Sequence, residues 1–336
     1  MPGLLQETPF KTITVKELHP TFGAEIEGAN FQNTTDEQFE EIRAALAKYG
    51  FAVFHDTGLT DDAHVEFSRR LGELDNIRRY LTPGRSMRYK HFELFDASNL
   101  DGEGEIVPSD SPRAHYNKGN AIFHVDSSFN PRRASYSLLR AVLIPPAGSG
   151  GATEFADSRS AWDDLDQATQ ELLLQDGGLV GGHSISHSRK MGSPEFFRDL
   201  DVDASPMHFH RVAQEHEPSG RMNLYVGGHL NHVKGLPTRA EGEALVRRLN
   251  AHATQDKYVV SVEWHGPGDM IVWDNRAVLH RATGGPFEDK WKRDMRRTTV
   301  HDDGTYAWGA NAVGEVMPGF DSSARPGDKT ATAIQA

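Results

Sequence analysis

Apolar and polar residues alternate along several short stretches of this chain, and that pattern predicts β-strands. In residues 11–16 polar and apolar side chains follow one another in turn, which is typical of a strand with one buried face. Residues 51–54 are continuously apolar and predict a short buried strand. Further strands are predicted at residues 121–126, 135–144, 222–226, 258–264, 270–273 and 295–300.

Helical spacing of apolar residues is confined to a few segments. The sequence Thr-Asp-Glu-Gln at 35–38 is a capping-box pattern that predicts the start of a helix. Phe39, Ile42 and Leu46 then recur on one helical face, and Gly50 follows as a helix stop. Three more helices are predicted, at residues 60–72, 158–175 and 238–254.

Because strands predominate and the few helices lie to one side, the predicted fold class is mainly β with flanking helices. The architecture expected is a double-stranded β-helix, a cupin-like jelly roll. Such a core brings side chains from strands that are distant in sequence to one open mouth. A single domain is predicted over residues 1–308.

Three segments show no regular period. Residues 80–120 and 177–218 are polar and irregular, and they predict inserts that act as a lid or a binding segment. Gly, Pro, Ser, Asp and Thr dominate from residue 309, which predicts a disordered tail over 309–336. The second insert is rich in histidines whose spacing matches no zinc motif, so a structural or solvated role is expected for them: His183, His187, His208, His210 and His216.

Composition narrows the class of partner. The 36 Lys and Arg residues face 48 Asp and Glu residues, for a formal net charge of −12, which argues against nucleic acid or an anionic membrane as a partner. The absence of cysteine excludes disulfides and thiolate metal sites. The sequence shows neither a secretory signal nor an apolar run of membrane-spanning length, so a cytoplasmic protein is expected.

The residues that carry chemistry begin with His124-Val125-Asp126. Alternate residues of a strand point to one face, so His124 and Asp126 are able to reach one metal ion. With His280 they form a set of two imidazoles and one carboxylate, which is typical of non-haem Fe(II) oxygenases because it leaves three octahedral positions open. Residues 274–275, just before His280, either orient its imidazole or form a turn.

A second chemical signal lies in the predicted strand near the end of the chain. Arg293, Met295 and Arg297 would share one face of that strand. A buried arginine is costly unless it is paired, and its planar guanidinium binds a carboxylate through two hydrogen bonds. The alternative is an exposed basic strand.

Five long motifs follow one another along the chain, at residues 123–129, 145–157, 227–237, 268–281 and 293–299. In sequence and in order they resemble motifs of the taurine dioxygenase and 2,4-dichlorophenoxyacetate dioxygenase family of Fe(II)/2-oxoglutarate enzymes. The resemblance runs over most of residues 10–307, and the phenoxyacetate-cleaving branch is the most similar.

This resemblance implies a cofactor, two cosubstrates and the residues that hold them. Fe(II) would be bound by His124, Asp126 and His280. The cosubstrates would be 2-oxoglutarate and O₂, with Thr153 and Arg293 contacting the carboxylates of 2-oxoglutarate.

The resemblance also implies a function. Arg297 matches a family arginine near the substrate or cosubstrate anion, and Asn120 matches a position at the substrate end of the pocket. We therefore expect a dioxygenase that hydroxylates a small carboxylic acid, with aryloxyacetate-type ether cleavage as the leading activity and succinate and CO₂ as products. The alternatives are the same chemistry on another small anion, such as an amino-acid derivative, a sulfonate or a sulfate ester, or a non-catalytic metal-binding jelly roll. A homo-oligomer is a further expectation.

Overall fold

Strands outnumber helices in residues 10–80 and 87–317, which are the residues that the computed structural model describes. The strands are β1 (Thr14–Glu17), β2 (Ala24–Glu27), β3 (Phe51–Phe54), β4 (Phe95–Asp96), β5 (Ala134–Leu143), β6 (Thr153–Asp157), β7 (Val180–His183), β8 (His208–Arg211), β9 (Ala213–His216), β10 (Arg221–Leu224), β11 (Leu230–Val233), β12 (Val259–Val262), β13 (Met270–Asp274), β14 (Val278–Ala282) and β15 (Asp294–His301). The α-helices are α1 (Asp36–Tyr49), α2 (Asp61–Arg69), α3 (Pro112–Asn117), α4 (Ser158–Asp163), α5 (Gln167–Leu174), α6 (Ile185–Gly192) and α7 (Arg239–Ala253).

The strands form one large sheet and three small ones. The large sheet has the order β1-β2-β3-β13-β5-β15-β4, and only its β2–β3 pair is parallel among the strands described. A three-stranded sheet, β12-β6-β14, carries the segment around His280. The remaining sheets are β11-β7-β8 and the hairpin of β9 and β10. The predicted class, mainly β with helices beside it, is confirmed at this level.

Aromatic packing joins the large sheet to the β12-β6-β14 sheet. Phe51 on β3 stacks on Phe155 of β6, with ring centroids 4.2 Å apart, and Trp273 of β13 meets Phe155 edge-on at 5.7 Å. All three side chains are buried. Burial of such large rings is the main favourable term for sheet packing. The two sheets therefore face each other across a dry core that ends beside His280, whose ring centroid lies 4.6 Å from that of Trp273.

Helix α1 covers the outer face of the large sheet, as its apolar period predicts. Ile42 and Leu46 are fully buried against residues of β3 and β13. Only half of the predicted capping box forms. The Thr35 side chain accepts a hydrogen bond from the Gln38 backbone, but the Gln38 side chain turns inward and bonds to Asn30 and other backbone groups instead of returning to Thr35.

The second predicted insert is an ordered part of the body. Residues 177–218 contain β7, α6, β8 and β9, and His183, His210 and His216 within them are fully buried. Burial agrees with the structural role expected for these three histidines, and the solvated alternative is wrong for them. Glycines at 181 and 182 disguise β7 in the sequence, yet a Cβ at either position would clash with neighbouring side chains of the sheet, so a close-packed strand requires them.

Two residues at the start of the predicted tail contact the body of the fold. The Asn311 amide donates to the carbonyls of Phe209 and Pro131 at 3.1 Å, and Met317 is buried. The domain boundary at 308/309 stays a prediction. Residues 318–336 of that tail lie outside the described residues, as do 1–9 of the predicted domain and 81–86 of the first insert.

The described part of the first insert after residue 86 contacts the body of the fold. In residues 87–120, β4 pairs with β15 and α3 packs against α6, so this part of the insert is also folded.

Every helix in the described ranges is too short or too polar to span a bilayer.

Buried histidines predict how stability depends on pH. Burial lowers the pKa of His64 and His210 to about 3, and it lowers that of His183 and His229 well below the usual value. Below the unfolded-state pKa of about 6.5, the unfolded chain binds protons that these folded-state histidines do not bind. We expect the free energy of unfolding to fall as pH falls from about 6.5 toward about 3, by up to ~1.4 kcal/mol per pH unit for each such histidine.

Urea unfolding at a series of pH values tests this expectation. In His64→Gln the free energy of unfolding should change less with pH, because one buried histidine no longer contributes to this dependence. Asn33→Gln, an exposed substitution that changes no titratable group, serves as the control and should leave the dependence unaltered. A wild-type unfolding free energy that stays constant between about pH 7 and pH 5 would contradict the argument.

Candidate functional site

Reciprocal backbone hydrogen bonds bring His124 and His280 together. The N–H of each residue donates to the carbonyl of the other at 2.9 Å, in an isolated antiparallel bridge. The strand predicted at 121–126 is reduced to this bridge. Two residues later, the Asp126 carboxylate lies 3.8 Å from His124 Nε2 and 3.6 Å from His280 Nε2. The structure thus assembles the predicted set of three residues, all of them buried.

Hydrogen bonds fix the direction in which the potential metal-binding atoms of His124 and Asp126 point. Nδ1 of His124 lies 2.8 Å from the carbonyl of Ile122, which only accepts, so Nδ1 carries the proton and Nε2 holds its lone pair toward the site. Ser137 Oγ donates to Asp126 Oδ2 at 2.8 Å, and Asn275 Oδ1 accepts from the Asp126 backbone at 3.1 Å. Asn275 also donates to Ser137 Oγ at 3.0 Å.

These contacts answer the question that the sequence left open at residues 274–275. Asn275 positions Asp126, and no hydrogen bond from it to the His280 ring is present in the described structure. Asp274 binds Arg276 and His216 instead. Ser137 gave no signal in the sequence, because a single serine in an apolar strand belongs to no motif.

The charges of His124 and Asp126 suit a divalent metal ion. Burial, reinforced by the nearby His280, lowers the pKa of His124 to about 3 and so keeps this imidazole neutral. Burial alone would raise the pKa of Asp126, but the Arg297 guanidinium, with Nη1 2.7 Å from Oδ1, outweighs it and holds this pKa well below its usual range. Neutral imidazole and ionised carboxylate are the forms that bind metal. This buried N₂O donor set fits a first-row ion such as Fe(II).

Two cavities open on either side of the three residues. Cavity A, of about 300 Å³, is lined by Thr153, Trp273, His280 and Arg293 among others. Cavity B, of about 210 Å³, is lined by Asp126 together with residues of both predicted inserts. Asn120, His124 and Arg297 line both cavities, so a bound metal would be reached from each side.

Arg293 lies in cavity A without an anionic partner. Its side chain is 9% exposed, burial lowers its pKa to about 10, and Nη2 donates to the carbonyl of Gly151 at 3.2 Å. Among the described residues no carboxylate lies within ion-pair distance of it. A buried cation in this state is costly, and a bound carboxylate would remove the cost. The alternative of an exposed basic strand is therefore wrong at this position.

The other sequence-derived candidates also lie in the cavities. Thr153, at the start of β6, is buried and its Oγ1 accepts a hydrogen bond from Trp264 Nε1 at 3.3 Å. Arg297 forms the ion pair with Asp126 and also covers the ring of Phe95. Asn120 is exposed, in the 3₁₀ turn that follows α3. The structure therefore brings all seven candidates to one region.

Both predicted inserts contribute walls to cavity B. From the first come Tyr89, Arg113 and Tyr116, and from the second come Ile185 and Arg189. The Arg189 guanidinium lies 4.5 Å from the ring centroid of Tyr116, so the two inserts touch each other across the cavity. The sequence did not single out these residues, because neither insert has a period or motif from which their positions could be read.

The chain is similar in sequence to a known family of dioxygenases. The family described as Taurine catabolism dioxygenase TauD, TfdA family matches residues 14–299. The chain is 34% identical over 293 residues to the alpha-ketoglutarate-dependent 2,4-dichlorophenoxyacetate dioxygenase of Cupriavidus pinatubonensis, covering 87% of this chain and 99% of that protein. It is 30% identical over 297 residues to the (S)-phenoxypropionate/alpha-ketoglutarate-dioxygenase of Sphingobium herbicidovorans, covering 86% and 95%.

A solved structure shows the same similarity in three dimensions. The crystal structure of AAD-2 in complex with Mn(II) and N-oxalylglycine superposes with a TM-score of 0.79 at 33% sequence identity, covering 88% of this chain and all of that chain.

The Ser137 hydroxyl generates a prediction about metal affinity. In Ser137→Ala the Asp126 carboxylate loses a hydrogen bond that orients it, and we expect the affinity for Mn(II) or Fe(II) to fall about 10–100-fold. Anaerobic titration calorimetry measures this change. Ser135→Ala, two residues away on the same strand, is the matched control because Ser135 bonds only to backbone carbonyls far from Asp126. Equal affinities in the two variants would show that Ser137 does not position the ligand.

Proposed function

This chain belongs to the TauD, TfdA family of alpha-ketoglutarate-dependent dioxygenases, and we propose that His124, Asp126 and His280 hold its Fe(II). The observation that carries this proposal is the convergence of two buried imidazoles and one ionised carboxylate where two cavities meet. With Fe(II), 2-oxoglutarate (alpha-ketoglutarate) and O₂ bound, the site gains an oxidant for C–H bonds, and succinate and CO₂ are released. The chain's own residues supply binding, orientation and exclusion of water.

We assign 2-oxoglutarate to cavity A because each end of this molecule would contact groups there that are able to bind it. The unpaired Arg293 guanidinium would bind the distal carboxylate, with the Thr153 hydroxyl beside it. The keto-acid end would then lie toward His280. Trp273 and Phe287 add apolar surface to the same cavity and would keep water from this end.

Cavity B is assigned to the substrate. Its walls combine aromatic and apolar side chains, such as Tyr89, Phe95 and Phe129, with arginines, which suits a small molecule that has an apolar body and an anionic head. Arg297 pairs with Asp126 and lines this cavity beside it, and it would bind the anionic head. Asn120, at the boundary of both cavities, would contact the same end.

An aryloxyacetate-type acid is the leading substrate class. A relative 34% identical over nearly its whole length is named for 2,4-dichlorophenoxyacetate, and the volume of cavity B suits one substituted ring with a short acid arm. Hydroxylation at the carbon next to the ether oxygen would give a hemiacetal. That hemiacetal would collapse to a phenol and a carbonyl product, which breaks the ether bond. Arginine binds sulfonates and sulfate esters as well as carboxylates, so these anions are the next candidates.

We also propose that the two facing sheets form a double-stranded β-helix, or jelly roll. The support is the large β1-β2-β3-β13-β5-β15-β4 sheet opposite β12-β6-β14, and the extensive superposition on AAD-2. In such a core the metal ligands come from segments far apart in sequence, as His124 and His280 do.

Succinate formation tests the reaction and the substrate together. Fe(II)-loaded protein is supplied with 2-oxoglutarate and O₂ in the presence of aryloxyacetates, amino-acid derivatives, sulfonates or sulfate esters, beside Asp126→Ala and His280→Ala as controls. We expect succinate to rise with aryloxyacetates and to disappear in both variants. A rise with another class alone would reject the substrate assignment, whereas undiminished succinate in the variants would reject the ligand assignment.

Arg293 gives a separate prediction. In Arg293→Ala we expect the KM for 2-oxoglutarate to rise about 10–100-fold, because a charged hydrogen-bonded pair contributes about 1.5–3 kcal/mol. The KM for the organic substrate should change much less. Arg281→Ala is the matched control, since Arg281 lies on β14 close to the site but pairs with Glu154 near the surface. A KM for 2-oxoglutarate equal to that of the wild type would show that Arg293 does not bind this cosubstrate.

A further inference from the structure

A second group of metal-ligating side chains lies outside the dioxygenase site. His55 follows β3, His265 lies in the turn between β12 and β13, and Asp269 immediately precedes β13. One potential ligand atom from each of the three lies within 4.8 Å of the others. Trp273, beside the dioxygenase site, lies four residue steps after Asp269, or about 13 Å along β13. The two groups therefore lie at opposite ends of this strand.

The two imidazoles are already held together. Their rings stack with centroids 4.4 Å apart and planes only 6° from parallel. Nδ1 of His55 lies 3.0 Å from Asp269 Oδ1, which is close to the spacing of two ligands on one ion when the metal–ligand bonds are about 2.0–2.1 Å. Because the stacked rings lie side by side, binding requires the exposed His265 ring to turn toward this pair of atoms.

Asp269 is held in place whether or not an ion is bound. Its Oδ2 accepts from the backbone N–H groups of His265 and Gly266, at 2.7 and 3.1 Å. These two bonds fix a carboxylate that is itself buried, and they leave Oδ1 directed at His55. Oδ1 also accepts a long hydrogen bond from the Asp56 backbone N–H at 3.4 Å. An ion at Oδ1 would replace the contact with His55 and would leave the turn intact.

A further carboxylate adds negative charge. Glu25 Oε1 lies 3.8 Å from Nε2 of His55, and the other oxygen of Glu25 is held by Lys16 at 3.2 Å. Two imidazoles with carboxylate oxygens favour a borderline divalent ion over Ca²⁺ or Mg²⁺, which prefer oxygen ligands alone.

We propose that His55, His265 and Asp269 form a second, surface site for a divalent ion of the Zn²⁺, Ni²⁺ or Cu²⁺ class. The ion links the turn before β13 to the end of β3. Because it binds the folded chain at a pre-positioned carboxylate, it raises the stability of the fold. The site is independent of the proposed dioxygenase function, and its occupancy does not alter the triad of His124, Asp126 and His280.

The number of Zn²⁺ ions bound by tag-free full-length protein tests this proposal. After equilibrium dialysis at micromolar free Zn²⁺, we expect two ions per chain in the wild type and one in His265→Ala, measured by elemental analysis. His91→Ala is the matched control, because His91 also meets a carboxylate, that of Asp62, but belongs to no three-ligand group in the described residues. It should still bind two ions.

Further readouts separate this site from the dioxygenase site. In His280→Ala, Cu²⁺ should still show electron paramagnetic resonance coupling to two nitrogens, reduced to one when His265→Ala is added. Zn²⁺ should raise the melting temperature of the wild type more than that of His265→Ala, whose Fe(II)-dependent turnover should be unchanged. One Zn²⁺ per chain in the wild type, or two in both His265→Ala and His55→Gln, overturns the proposal.

Discussion

The pair of backbone hydrogen bonds between His124 and His280 is the constraint on which the site depends. It joins an irregular segment to the edge of the β12-β6-β14 sheet, and both bonds have the ordinary length of 2.9 Å. Backbone contacts of this kind fix the two Cα positions relative to each other, and both imidazoles then lie within 4 Å of the Asp126 carboxylate. The surrounding contacts from Ser137 and Asn275 then determine where that carboxylate points.

The distribution of buried charge separates structural groups from binding groups. Near the large sheet, Asp274 and Asp302 are each held by arginines, and Arg276 bridges the two. Each of these buried charges has an oppositely charged partner within the fold, so none of them requires a ligand to neutralise it. Arg293 is buried to a similar degree but meets only a carbonyl. A protein interior tolerates such a cation when a ligand regularly completes it, which is why cavity A is the natural place for an anion.

The two cavities share one wall and differ in the other. Residues of the first insert between 95 and 120 line both cavities. Cavity A is completed in part by Thr153, Trp273 and His280, which lie on strands whose geometry is fixed by sheet hydrogen bonds. Cavity B is completed in part by residues 185–189 of the second insert, in a connection between strands. Connections accept changes of length and composition more readily than sheets do, so the second insert is a part of the site in which such changes alter cavity B and leave cavity A unchanged.

The sequence by itself determined what depends on short range. The alternation of apolar residues gave strands, the spacing of Ile42 and Leu46 gave the buried face of α1, and the two-residue spacing placed His124 and Asp126 on one side. The family motifs added His280 and Arg293, which spacing alone could not select from 17 histidines and 36 basic residues. Tertiary structure alone decided that Arg297 pairs with Asp126, that Asn275 and Ser137 orient this carboxylate, and that residues 177–218 are folded. These outcomes depend on pairing between segments far apart in the chain. Local pattern fixes the periodicity of a segment, but the partner of a strand or a buried charge is set by the whole packed fold.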